Sequence, residues 1–299
     1  MSLNSLSYSL PEDLQASVET ILQDWSGRGT IGKLWAKDAG VWTNADEGSW
    51  LGWLDIVERQ LADGRKFADF RAEVKAANFS HILLLGMGGS SLAPEVLSFT
   101  FGKQNGFPEM HILDSIDPAQ IKTVADKIDL QNTLFFVSSK SGSTLEPNIF
   151  QAYFFERVLK VVGKSIAGKR FVAVTDPNSK MQTVAEANNF RKIFYGDPQI
   201  GGRYSALSDF GMMPLAAVGV DVENFLNCAN EMVTACRNEN PAENSGAILG
   251  TILGAAERDF GRDKVTIFTS PKISDLGAWL EQLIAESTGK EGKSLIPVD

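Results

Sequence analysis

Apolar residues recur along this 299-residue chain with two different periods. Between Leu10 and about Gln60 they fall three and four apart, at Leu14, Val18, Ile21, Leu22 and Trp25, a spacing that predicts helix. From residue 81 onward, short continuous apolar runs alternate with amphipathic stretches. Residues 81–86, 110–114, 133–138, 170–175 and 192–195 read as strands, and 92–99, 118–127, 145–162 and 180–188 as helices. Strands without a polar face are buried on both sides, and helical connections make them parallel. The pattern therefore predicts an α/β fold: a doubly wound parallel sheet in a three-layer αβα arrangement.

Beyond the glycine-rich stretch 196–202 the chain reads as helical through 212–218, 222–236 and 242–259. A strand at 265–269 and a helix at 276–286 then open a second α/β unit. One strand and one helix cannot close a sheet layer, so further partners are expected outside this sequence. The division expected is a helical preface over 1–65, a first α/β domain over 66–235 and the beginning of a second over 236–299. Five of the six tryptophans, Trp25, Trp35, Trp42, Trp50 and Trp53, fall in the preface. They are expected to pin it to neighbouring core rather than to carry chemistry.

Composition narrows the classes of partner. The longest apolar runs fall far short of the roughly 20 residues that span a bilayer, and residues 1–8 lack the basic and apolar segments of a secretory signal. A net charge of −9 argues against nucleic acid or an anionic membrane, which need a surplus of Lys and Arg. The two cysteines, Cys228 and Cys236, lie eight apart on one helical face and are expected to be packed in apolar surroundings, with no disulfide or metal role. A reducing cytoplasm fits this usage.

In an open parallel sheet, ligands bind beyond the carboxyl ends of the strands, so the loops there hold the candidate chemistry. The first is Gly86-Met87-Gly88-Gly89-Ser90-Ser91, between a strand and a helix. Its glycines let backbone N–H groups approach an anion, and the helix start adds about 0.3–1 kcal/mol per group. A dinucleotide fingerprint is the rival reading, with Asp114 in the place of the ribose-binding acid. Ser91 replaces its third glycine, however, and that reading leaves the next loop unexplained. Ser138-Ser139-Lys140-Ser141-Gly142-Ser143-Thr144 follows another strand and precedes a long helix. Simple N-capping needs one hydroxyl; seven consecutive small polar residues with one cation suit a phosphate cradle.

The third loop, Gly201-Gly202-Arg203-Tyr204-Ser205, offers a guanidinium suited to an oxyanion or enediolate, against the alternative of a surface arginine in a flexible loop. In the last predicted helix Gln282 and Glu286 share a face. Glu286 stands near its carboxyl end, where the dipole disfavours a resting negative charge, a setting that suits a general base. A solvated helix end is the plainer alternative. An echo of a nucleotide P-loop at 289–294 lacks the leading glycine and the preceding strand.

Taken in order, GMGGSS, SSKSGST, GGRYS and QLIAESTGK resemble the glucose-6-phosphate isomerase family of double sugar-isomerase (SIS) folds, over about 200 residues from Gly86 to Lys290. The resemblance implies an aldose-ketose isomerase acting on glucose 6-phosphate and fructose 6-phosphate. It implies Ser139, Lys140, Ser141 and Thr144 around the phosphate, and Gly89 and Ser90 near the sugar. Gly202 and Arg203 would stabilise the enediolate, Gln282 would orient the substrate, and Glu286 would be the base between C1 and C2. It further implies no metal or organic cofactor, and a homodimer. The SSLAPEVL wording and the Trp-rich preface look most like the isomerase half of bacterial transaldolase–isomerase fusions. The family's ring-opening histidine and chain-end lysine are not matched here. His81 and His111 lie in predicted strands and read as packed or solvated, so this chain is expected to be an amino-terminal part, inactive or impaired alone. A non-catalytic sugar-phosphate-binding SIS module and an NAD-binding oxidoreductase are the alternatives.

Overall fold

The computed structural model describes residues 6–299. The first five, part of the stretch read above as lacking a signal, lie outside the described residues. In chain order the elements are α1 (Glu12–Arg28), α2 (Thr30–Trp35), α3 (Ile56–Ala62), α4 (Arg65–Ala77), β1 (His81–Leu85), α5 (Leu92–Phe101), β2 (Glu109–Leu113), α6 (Pro118–Lys127), β3 (Thr133–Ser138) and α7 (Leu145–Val162). They continue with α8 (Lys164–Ala167), β4 (Phe171–Thr175), α9 (Lys180–Ala187), β5 (Lys192–Tyr195), α10 (Asp209–Ala217), α11 (Val222–Cys236), α12 (Ser245–Phe260), β6 (Lys264–Thr266), α13 (Leu276–Thr288) and β7 (Ile296–Val298).

Five strands form one sheet in the order β2-β1-β3-β4-β5, every pair parallel. The doubly wound α/β reading holds. Alternate residues of each strand feed two cores, as the two-residue period requires. Ile82, Leu84, Leu134, Phe136, Val172 and Val174 meet α4 and α10 on one side. Leu83, Leu85, Phe135, Val137, Phe171 and Ala173 meet Phe150, Phe154 and Val158 of α7 and Met181 of α9 on the other. Local signals set the helix starts: Asp117, for example, caps α6 by accepting from the N–H groups of Ala119 and Gln120 at 2.9 and 3.0 Å, with Pro118 in the first turn.

Several expectations need correction. The helical reading of the preface breaks after Trp35, where 3-10 turns and loops run to Asp55. Trp25 and Trp35 do pack on the cluster formed by Leu14, Val18 and Leu22 of α1 with Ala247, Ile248 and Ala255 of α12. Trp42 and Trp50 are exposed and pin nothing to a core. Cys228 is exposed, because the apolar face of α11 is set by Val222 and Leu226 instead. The strand expected at 265–269 is β6, ending at Thr266, and it pairs in parallel with β7, a strand absent from the sequence reading. With α13 between them, β6 and β7 make a small separate sheet. Among the described residues no helix is long and apolar enough to cross a membrane.

Candidate active site

Strand order reverses between β1 and β3: β1 leads outward to β2, β3 to β4 and β5. A crevice opens at such a switch point beyond the carboxyl ends of the strands. The loops that follow β1 and β3 are the first two motifs.

The first loop is the meeting point of the other three elements. A Cβ built on Gly89 would stand 2.2 Å from the carbonyl oxygen of Gly202, so only glycine permits this approach between loops. Gly88, with φ +52, lies against Gln282 of α13, whose Nε2 would be 2.8 Å from a Cβ there. Ser138 Oγ donates to the carbonyl of Ser90 at 2.9 Å, tying in the second loop. Ser205 Oγ donates to the carbonyl of Gly202 at 2.7 Å and fixes the third. Three segments far apart in sequence therefore converge on residues 88–90.

In the second loop Ser141, Ser143 and Thr144 are exposed, and the hydroxyls of Ser141 and Ser143 are 2.6 Å apart. Gly142 adopts φ +65 with its backbone pressed on the start of α9. Ser139 is buried and its hydroxyl has no partner among the described residues. Thr144 occupies the N-cap position of α7 without using its side chain as a cap, leaving that hydroxyl to solvent. Lys140, read from sequence as the one cation of its loop, is engaged: its ammonium donates to the Asp176 carboxylate and, at 3.2 Å, to the carbonyl of Asp197. The loop thus presents hydroxyls and a helix start, with the lysine charge balanced behind them.

The third loop is a 3-10 run, Gly202–Leu207, facing α13. Arg203 Nε donates to Ser287 Oγ at 2.9 Å, and Nη1 approaches Glu286 Oε2 at 3.4 Å. The Trp279 indole N–H donates to the Arg203 carbonyl at 3.2 Å. Glu286 is exposed, and Lys290 Nζ donates to its backbone carbonyl at 2.6 Å, which complements the carboxyl end of the helix. Gln282 Oε1 is buried and has no partner among the described residues. Glu95 of α5, half-buried near Asp114 and Asp275, has its pKa raised to about 7, first by burial and then by those two carboxylates.

All ten residues singled out from sequence (Gly89, Ser90, Ser139, Lys140, Ser141, Thr144, Gly202, Arg203, Gln282 and Glu286) stand in the loops and helix that bound this crevice. His81 and His111 do not: their Nδ1 and Nε2 atoms pair at 3.2 Å, with His81 at the opposite, amino end of β1. Burial pushes the His111 pKa down. Sequence reasoning passed over Asp176, Tyr204 and Ser287. The last two stood inside quoted motifs, next to Arg203 and Glu286, while Asp176 had only its place directly after a strand to mark it. Among the described residues no cluster of His, Cys, Asp or Glu has the makings of a metal site.

Fold and site together define a doubly wound α/β protein whose polar loops meet beyond the carboxyl ends of β1 and β3, beside a carboxylate–guanidinium pair. A model of the family "Phosphoglucose isomerase" matches residues 64–294. The chain belongs to the phosphoglucose isomerase family. It is 30% identical over 249 residues to a glucose-6-phosphate isomerase of Methanocaldococcus jannaschii, covering 83% of this chain and 58% of that protein. It is 31% identical over 276 residues to one from Thermosynechococcus vestitus, covering 85% and 52%. The chain spans about half the length of the curated relatives it matches. A hypothetical protein from Thermus thermophilus superposes with a TM-score of 0.79 at 27% identity, over 97% of this chain and 68% of that one. A glucose-6-phosphate isomerase from Chlamydia trachomatis shares the fold, with a TM-score of 0.71 at 24% identity over 94% and 57%.

Proposed function

We propose that the protein to which this chain belongs interconverts glucose 6-phosphate and fructose 6-phosphate, with Glu286 as the base and Arg203 as the cation beside it. The observation that carries this reading is their pairing at 3.4 Å, next to the contact of Gln282 with Gly88 at the crevice. That separation is long for a hydrogen bond, so neither group is fully committed to the other. In the reaction the phosphate occupies the loop of Ser139, Lys140, Ser141 and Thr144, where exposed hydroxyls and the start of α7 receive its charge. Gly89 and Ser90 border the sugar, Gly202 lets the backbone approach, and Gln282 orients the opened chain.

Glu286 takes the proton from C2 of the aldose and returns it to C1 while the hydroxyl proton passes from the C2 oxygen to the C1 oxygen, and the reverse reaction retraces both transfers. Removing that proton leaves negative charge on an enediolate oxygen, which the guanidinium stabilises. No step calls on a metal or organic cofactor. The reading includes the division 1–65, 66–235 and 236–299, a cytoplasmic location and a homodimer. A transaldolase domain joined to the isomerase, as in the bacterial fusions that the preface resembles, is the arrangement supported by SSLAPEVL and the tryptophans. In the complete protein as the cell makes it, Glu286→Gln is expected to keep sugar-phosphate binding while turnover falls about 10²- to 10⁴-fold. Turnover at the parental rate would remove Glu286 from the role of base, and binding of a nicotinamide dinucleotide in place of the sugar phosphate would move the protein to the oxidoreductases.

A further inference from the structure

We propose that Ser287 is a positioning residue which, together with Tyr204, sets the Arg203 guanidinium opposite the Glu286 carboxylate; its catalytic meaning rests on the isomerase reading. The long, flexible arginine stem has to be held somewhere, and the Glu286 contact at 3.4 Å is too loose to do it. The close bond is the one from Nε to Ser287 Oγ at 2.9 Å. The same hydroxyl lies 2.8 Å from the Tyr204 hydroxyl, and one serine oxygen has the capacity for both bonds. The Tyr204 ring in turn lies under the guanidinium, 5.1 Å from Cζ to its centre. Trp53 stacks on that same ring, 5.4 Å from centre to centre and tilted by 22°.

Ser287 is thus the node through which a helix, a 3-10 run and the preface agree on one arginine rotamer. Because it adjoins Glu286 on α13, the base and the hook for the cation move as one body. Of the five N–H donors of a guanidinium, Nε and one on Nη1 are engaged among the described residues, which leaves others to meet a ligand oxygen. Had Glu286 gripped the arginine in a close fork, base and cation would each have been occupied by the other. The serine keeps them adjacent and available.

Two measurements test this separately from the isomerase reading. The first follows solvent exchange of the Arg203 Nε–H by nitrogen-resolved NMR on the 299-residue chain without ligand. Ser287→Ala is expected to speed that exchange at least about tenfold, the scale of losing one hydrogen bond to a charged group, and Ser287→Thr to restore it. An unchanged exchange rate in Ser287→Ala overturns the proposal and leaves the isomerase reading standing. The second compares calorimetric titrations with arabinonic acid 5-phosphate, whose carboxylate imitates an enediolate, and arabinitol 5-phosphate, which is neutral at that end. Ser287→Ala is expected to weaken the acid about tenfold and the polyol hardly at all, with Tyr204→Phe intermediate. Equal loss for both ligands would mark Ser287 as merely structural and overturn the proposal. A wild-type chain that binds neither, with the exchange result as expected, counts against the isomerase reading alone.

Discussion

At Gly89 the absence of a side chain decides whether two loops meet. A methyl group there would fall 2.2 Å from the Gly202 oxygen, inside any permissible contact, whereas a Cβ on Gly202 itself meets nothing within 4 Å. Two glycines that look alike in sequence therefore have opposite tolerances. Gly89→Ala is expected to cost about 1–3 kcal/mol, as overpacking does, and Gly202→Ala to stay within about 0.5 kcal/mol, as changes at open sites do. Urea unfolding of the two variants checks this, and equal midpoints would mean that the loops part without resistance. The same scale explains Lys140. Sequence marks it as the one cation of its loop but says nothing of Asp176, which β4 delivers beside it from 36 residues away.

At the scale of elements, the five sheet strands were legible because each is a short, mostly apolar run bounded by polar loops; β1, β3 and β4 are central and need no polar face, while β2 and β5 lie at the edges. β7 was not, since three residues containing Pro297 carry no period, and only pairing with β6 makes them a strand. The preface misled for the opposite reason. Its tryptophans extend an apolar pattern past Trp35 although the backbone has already left the helix. Site loops were legible as polar runs after strands, but their convergence was not, because Gly89 with Gly202 and Gly88 with Gln282 are contacts between segments more than 100 residues apart. Helix starts carry a signal that stands without tertiary help. Asp117→Ala removes the side-chain acceptor for two N–H groups of α6 and is expected to lower stability by about 1 kcal/mol. Chemical denaturation of that variant reads it out, and an unshifted midpoint would show that water satisfies those groups equally well.

Across the whole molecule, Glu95 of α5, Asp114 after β2 and Asp275 before α13 bring three carboxylates from three elements into one field. Burial first, and then the two neighbours, raise the Glu95 pKa from 4.5 to about 7. A carboxyl with a raised folded-state pKa stabilises most fully below its unfolded value, and the contribution is lost as pH rises through the folded value. Wild-type stability should therefore fall between about pH 4.5 and 7 relative to Glu95→Gln, which has no charge to gain. Half-exposure and screening hold the effect to a few degrees in melting temperature. Thermal melts at pH 5 and pH 7.5 test it, and a gap between the two proteins that does not widen would show that Glu95 is ionised throughout.

The packing of α1 on α12 joins segments that leave the ribosome far apart in time. More than 200 residues separate the end of α1 from the start of α12, on the order of ten seconds or more of synthesis at ~5–20 residues per second. The five-stranded sheet is complete by Tyr195, so it has time to close while Leu14, Val18 and Leu22 still lack Ala247, Ile248 and Ala255. During that interval α1 waits without its partner, and its apolar stripe faces water or a chaperone.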